Sequence, residues 1–154
     1  MRSSRPLVAI LLAGAAFTAG CGGTDPDARN AYVAEVQTAQ KLYVTRFEQA
    51  GKRFTTTSTL DQDRAALDAF ARATQTFVTS LKDLSPPEEV SDEHARLTAA
   101  MVGYAGRVTQ ARSDLARGSD ADRARVRTEL SSSVQATQER ITKAIAEINA
   151  GLQG

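Results

Sequence analysis

His94 is the only histidine in this chain and the first side chain to suggest chemistry. It shares a spacing of three and four residues with Val90, Leu97, Met101 and Tyr104, so on a helix it lies on an apolar stripe. There it could act as a ligand or proton acceptor, with Tyr104 completing a small-molecule or sensory site between helices. The plainer reading is a partly buried imidazole bonded to Glu93 or to a backbone carbonyl. Metal centres in helical bundles need several converging carboxylates, usually with paired Glu-x-x-His motifs. Ser91 stands where that motif requires its acid, so di-iron and copper sites are disfavoured and no metal or other cofactor is expected. The chain has no Gly-x-Ser-x-Gly elbow and no glycine loop suited to cradling phosphate, because Gly22 and Gly23 do not follow a strand. Tyr32, Tyr43 and Tyr104 fall on apolar stripes, as core residues with a polar tip would, rather than as a ligand cage. The expectation is a protein that is not an enzyme.

The elements that would position these residues are helices. Tyr32, Val36, Ala39, Tyr43, Phe47, Ala50 and Phe54 draw one stripe. Residues 54–60 are rich in hydroxyls that compete for backbone hydrogen bonds, so they read as a loop, with Thr59 and Gln62 placed as a capping box. Leu60, Leu67, Phe70, Thr74, Phe77, Leu81 and Leu84 form a second stripe in which Asp63 is the one charged interruption. Pro86 and Pro87 end it, and the third helix starts either at Pro86 or after Ser91. Its stripe runs from Val90 to Leu115, after which Gly118 stops it and Ser119 can cap the next helix. Leu130, Val134, Thr137, Ile141, Ala144, Ile145, Ile148 and Leu152 make the fourth. Four helices of about 25 to 32 residues would each be about 37 to 48 Å long. Short connections favour antiparallel neighbours, so the expected fold is all-α, an elongated up-down-up-down four-helix bundle. A helical hairpin that dimerises is the alternative, and the oligomeric state is left open.

Ahead of these helices stand Arg2 and Arg5, an apolar stretch over residues 7–17, and Thr18-Ala19-Gly20-Cys21. The arrangement resembles the signal peptide and lipobox of a bacterial lipoprotein. Cleavage before Cys21 would divide the chain into a signal peptide (residues 1–20), a lipidated cysteine with a short tether (21–29) and a bundle domain (30–152). A membrane-spanning helix needs about 20 apolar residues, and this stretch is shorter. A secretory signal cut elsewhere would leave Cys21 as a lone thiol, and Thr18 stands where lipoboxes usually carry a larger aliphatic residue. Cys21 is the sole cysteine, so it closes no internal disulfide, and acylation accounts for it in an exported chain. A diacyl anchor would hold where one acyl chain is marginal.

Without Arg2 and Arg5, the 19 basic residues fall to 17 against 18 acids, a balance near −1 that gives no general pull toward nucleic acid. In the up-down arrangement the pole far from the membrane gathers Lys52, Arg53, Arg64, Arg112, Arg117, Arg123, Arg125 and Arg127. Against them stand Asp61, Asp63, Asp114, Asp120 and Asp122, eight cations less five acids, or +3. The near pole sets Arg29, Lys82, Arg96 and Lys143 against Asp25, Asp27, Asp83, Glu88, Glu89, Asp92, Glu93 and Glu147, or −4. Anionic lipid would repel that end, so the body should stand off the bilayer. The competing reading is a set of ordinary solvated helix ends.

The lipobox, the four helices and the run Leu81-Lys82-Asp83-Leu84-Ser85-Pro86-Pro87 followed by His94 and Leu97 together resemble small actinobacterial lipoproteins of unknown function. The resemblance implies an all-helical protein of the cell envelope, lipid-anchored at the extracytoplasmic face of the cell membrane, and it carries over no catalytic residues. The expected role is non-enzymatic, presenting a helical surface to an envelope protein or an anionic cell-wall polymer, with Arg117, Arg123, Arg125 and Arg127 as the first candidate patch. The alternative is a ligand site near His94.

Overall fold

The computed structural model describes residues 25–55, 57–117 and 120–153, with side chains at all of these except 117, 120 and 121. Cys21, the segment before it, Gly118 and Ser119 lie outside the described residues, as does the side chain of Arg117. Within them the chain forms four helices, α1 (Pro26–Gly51), α2 (Leu60–Asp83), α3 (Ser91–Arg117) and α4 (Asp120–Gln153), plus a 3-10 turn over Glu88–Val90. No strand occurs among the described residues, so the protein is all-α.

Local chemistry explains the boundaries. Asp25 Oδ1 accepts a hydrogen bond from the Asp27 amide at 3.0 Å, and Pro26 at the first helical position has no N–H to lose. The helix therefore begins earlier than the apolar stripe suggests, and residues 26–29, expected in the tether, form its first turn. Thr59 and Gln62 form the expected capping box at the start of α2: the Gln62 amide donates to Thr59 Oγ1 at 3.2 Å, and the Thr59 amide to Gln62 Oε1 at 2.7 Å. α2 ends before the prolines with Leu84 extended, and the α-helical start of α3 falls at Ser91 rather than Pro86.

Consecutive helices run antiparallel. Along α1 and α2, Tyr43 stacks on Phe77 with centroids 4.9 Å apart, and Phe47 meets Phe70 at 4.6 Å. His94 reaches back to Leu81 between α2 and α3, and Arg96 and Arg107 of α3 reach Glu147 and Ser133 of α4. These three sequential pairs approach closely, and among the described residues α1 and α4 make no comparably close approach. α1 also looks across the centre at α3, where Phe47 lies 6.2 Å from Tyr104.

Leu67, Leu81, Leu97, Met101, Tyr104, Leu115 and Leu152 are almost fully buried, and each large aliphatic among them contributes about 1.5 to 3 kcal/mol. α1 adds little to this core, because only Tyr32, Val36 and Ala50 of its 26 residues are buried while Leu42 and Val44 stay exposed. Among the described residues, no helix is long and apolar enough to cross a membrane.

Candidate functional site

His94 sits where three helices meet. Its Nε2 lies 2.9 Å from the Leu81 carbonyl of α2, and its Nδ1 lies 3.0 Å from the Tyr32 hydroxyl of α1. A carbonyl can only accept, so Nε2 carries the proton, and Nδ1 accepts from the tyrosine. The neutral imidazole is thereby satisfied on both nitrogens. Burial lowers its pKa from the ordinary 6.5, with the Leu81 hydrogen bond offsetting part of that shift. The Tyr32 hydroxyl is pushed up to about 12, chiefly by burial and further by the nearby Glu93 carboxylate.

Both imidazole nitrogens thus face protein groups, and Tyr104 lies further along the same helix than His94. Ten residues separate the two along α3, about 15 Å of helix rise. Tyr104 is buried among Phe47 and its neighbours, its hydroxyl has no hydrogen-bond partner among the described residues, and burial followed by the nearby Tyr43 raises its pKa strongly. Among the described residues, no group of three or more histidines, cysteines or acids could hold a metal ion.

The end of the molecule that carries the α1–α2 loop holds a network that the apolar stripes alone did not reveal. Asp63, the charged interruption in the α2 stripe, is completely buried. Arg127 Nη2 approaches its Oδ2 at 2.8 Å and Arg123 Nη2 at 3.1 Å, while the Ser58 hydroxyl donates to Oδ1. Arg123 also donates to the Ser58 carbonyl at 2.7 Å, and Arg127 to the Ser58 hydroxyl at 2.9 Å. The Arg127 guanidinium sits over the Phe54 ring, 5.7 Å from its centroid. Two cations therefore close around one carboxylate and pin the loop between α1 and α2 onto α4. A partner seeking Arg123 or Arg127 would have to compete with a buried charge.

Most other charges at this end are also matched. Arg125 faces Glu129 at 3.2 Å, Asp122 at 3.5 Å and Asp114 at 3.8 Å, Arg64 faces Asp61, and Arg112 holds Asp68 at 2.6 Å. The signal that marks the inner network is visible in the sequence: an aspartate on an apolar stripe needs a cation, and Arg123 and Arg127 share one face of α4 at a spacing of four residues. Two open clefts occupy the α1 and α2 side instead. One, of about 650 Å³, lies under the loop beside Lys52, Arg53 and Asp61. The other, of about 540 Å³, runs between the helices and includes Arg46, Arg53 and Arg72.

Fold and site together define an all-α protein whose buried polar groups tie helices to one another. No family model, curated protein or solved structure matches the chain.

Proposed function

We propose that this chain is a non-enzymatic lipoprotein, held by a diacylated Cys21 at the extracytoplasmic face of the cell membrane. Its body, an elongated up-down-up-down bundle, presents a surface to another envelope component. The observation that carries the reading is the division of the chain at Cys21: a basic and apolar leader before it, and amphipathic helical protein after it. The buried polar groups add support, because His94 and Asp63 are engaged in joining helices.

The test is acylation in a bacterial host fed an alkyne-bearing fatty acid. The wild-type chain should take up the label and sediment with membranes, and Cys21→Ala should lose the label and move to the soluble fraction. Wild-type chain that carries no acyl group would end the proposal.

A further inference from the structure

We propose that the groove between α1 and α2 binds a linear phosphodiester polymer through Arg46, Arg53 and Arg72. Its floor is built from Ala50, Ala69 and Ala73, of which Ala50 and Ala73 are buried, so the longer side chains of both helices stand up as rims. Arg46 lies on α1 and Arg53 just past its last residue, Gly51, in the turn that follows, so the two are on the order of 10 Å apart along the chain's course. Arg46 reaches Thr76 of α2 at 3.4 Å. In an antiparallel pair Arg72, one turn before Thr76, then falls across from the interval between Arg46 and Arg53. Three guanidiniums thus alternate across one channel.

No carboxylate lines this groove, and none of the three arginines has an acid within ion-pair distance among the described residues. Arg29, Arg64, Arg96, Arg112, Arg123, Arg125 and Arg127 are all matched. Like charges gathered without a counter-charge repel one another, and an anion placed between them relieves that repulsion. The planar guanidinium fork fits phosphate oxygens in bidentate fashion.

Two further features narrow the ligand. Arg53 also lines the adjoining cleft with Lys52, where Asp61 is paired with Arg64, so cations continue past the end of α1 over a length greater than one phosphate requires. Among the described residues no aromatic side chain lines the groove, so it offers none of the stacking platform that single-stranded nucleic acids use. A polymer of phosphates joined by small polyols, without bases, fits both facts.

The inference rests on the proposed function in taking its ligand from the envelope, but the two fail separately, because loss of acylation at Cys21 leaves this groove intact. The experiment titrates the full-length chain in detergent against a fluorescent poly(glycerol phosphate) oligomer. Arg46→Gln, Arg53→Gln and Arg72→Gln should each weaken binding about fivefold and lower the salt slope by about one. The triple variant should lose measurable binding with helical content unchanged by circular dichroism, whereas Arg140→Gln, an exposed cation on α4, should bind as wild type. The proposal is overturned by a triple variant that binds normally, by equal weakening from Arg140→Gln, or by polyglutamate of matched length binding as tightly as the phosphate polymer. Full competition by inorganic phosphate at equal phosphate concentration would overturn it too.

Discussion

Two side chains decide how this molecule responds to its surroundings. His94 has a folded pKa below its ordinary value, so the unfolded chain binds a proton more readily than the native one. Its contribution is therefore present above the ordinary histidine pKa and is lost as pH falls through the lowered folded value. Urea midpoints of the wild-type protein should drop between about pH 7 and pH 5, and His94→Gln should show a shallower drop over that window. Asp63 is the other case. Removing it strands two guanidiniums that it now neutralises, but each keeps about a fifth of its surface in water and can turn outward. Asp63→Ala should cost about 3 kcal/mol, the low end for a broken buried pair, measured as a shift in the denaturation midpoint. A change under half of that would mean the network is worth less than an ordinary buried ion pair. The stripe positions showed that both residues are unusual; they did not show their partners, because Tyr32 and His94 are joined across 62 positions and Asp63 and Arg127 across 64.

At the scale of elements, what was legible was local. The capping box at Thr59 and Gln62, the stop at Pro86 and Pro87 and the four amphipathic stripes depend on residues within a few turns of one another, and such interactions can be read by spacing alone. The α1–α2 groove was not legible, since Arg46, Arg53 and Arg72 become neighbours only when two antiparallel helices settle into register. Glycines show the same contrast. A Cβ at Gly151 would stand 2.8 Å from Val90 Cγ1 and 3.3 Å from the Glu89 carbonyl, so α4 can lie against the 3-10 turn only without a side chain there. At Gly106, on the exposed face of α3, a Cβ would meet nothing within 4 Å. Gly106→Ala should stabilise by about 0.5 to 1 kcal/mol through helix propensity. Gly151→Ala should lower the melting temperature despite the same propensity gain, and a rise there would show that the turn yields easily.

Across the whole molecule, packing is uneven. α2 and α3 each pack closely along two other helices, whereas α1 packs closely along α2 and touches α3 at single residues, and it buries few of its own. Opening to solvent should follow that order: deuterium uptake by mass spectrometry should be fastest in the middle of α1 and slowest in α2 and α3. Uniform uptake across the four helices would contradict it. Two ties that hold the start of α1, Arg29 to Glu89 and Tyr32 to His94, sit at its N-terminal end. In a chain tethered ahead of Asp25, any tug on the tether arrives there first. Those two contacts then act as a clasp, and the helix least embraced by its neighbours becomes the strap that would peel away before the remaining three are disturbed.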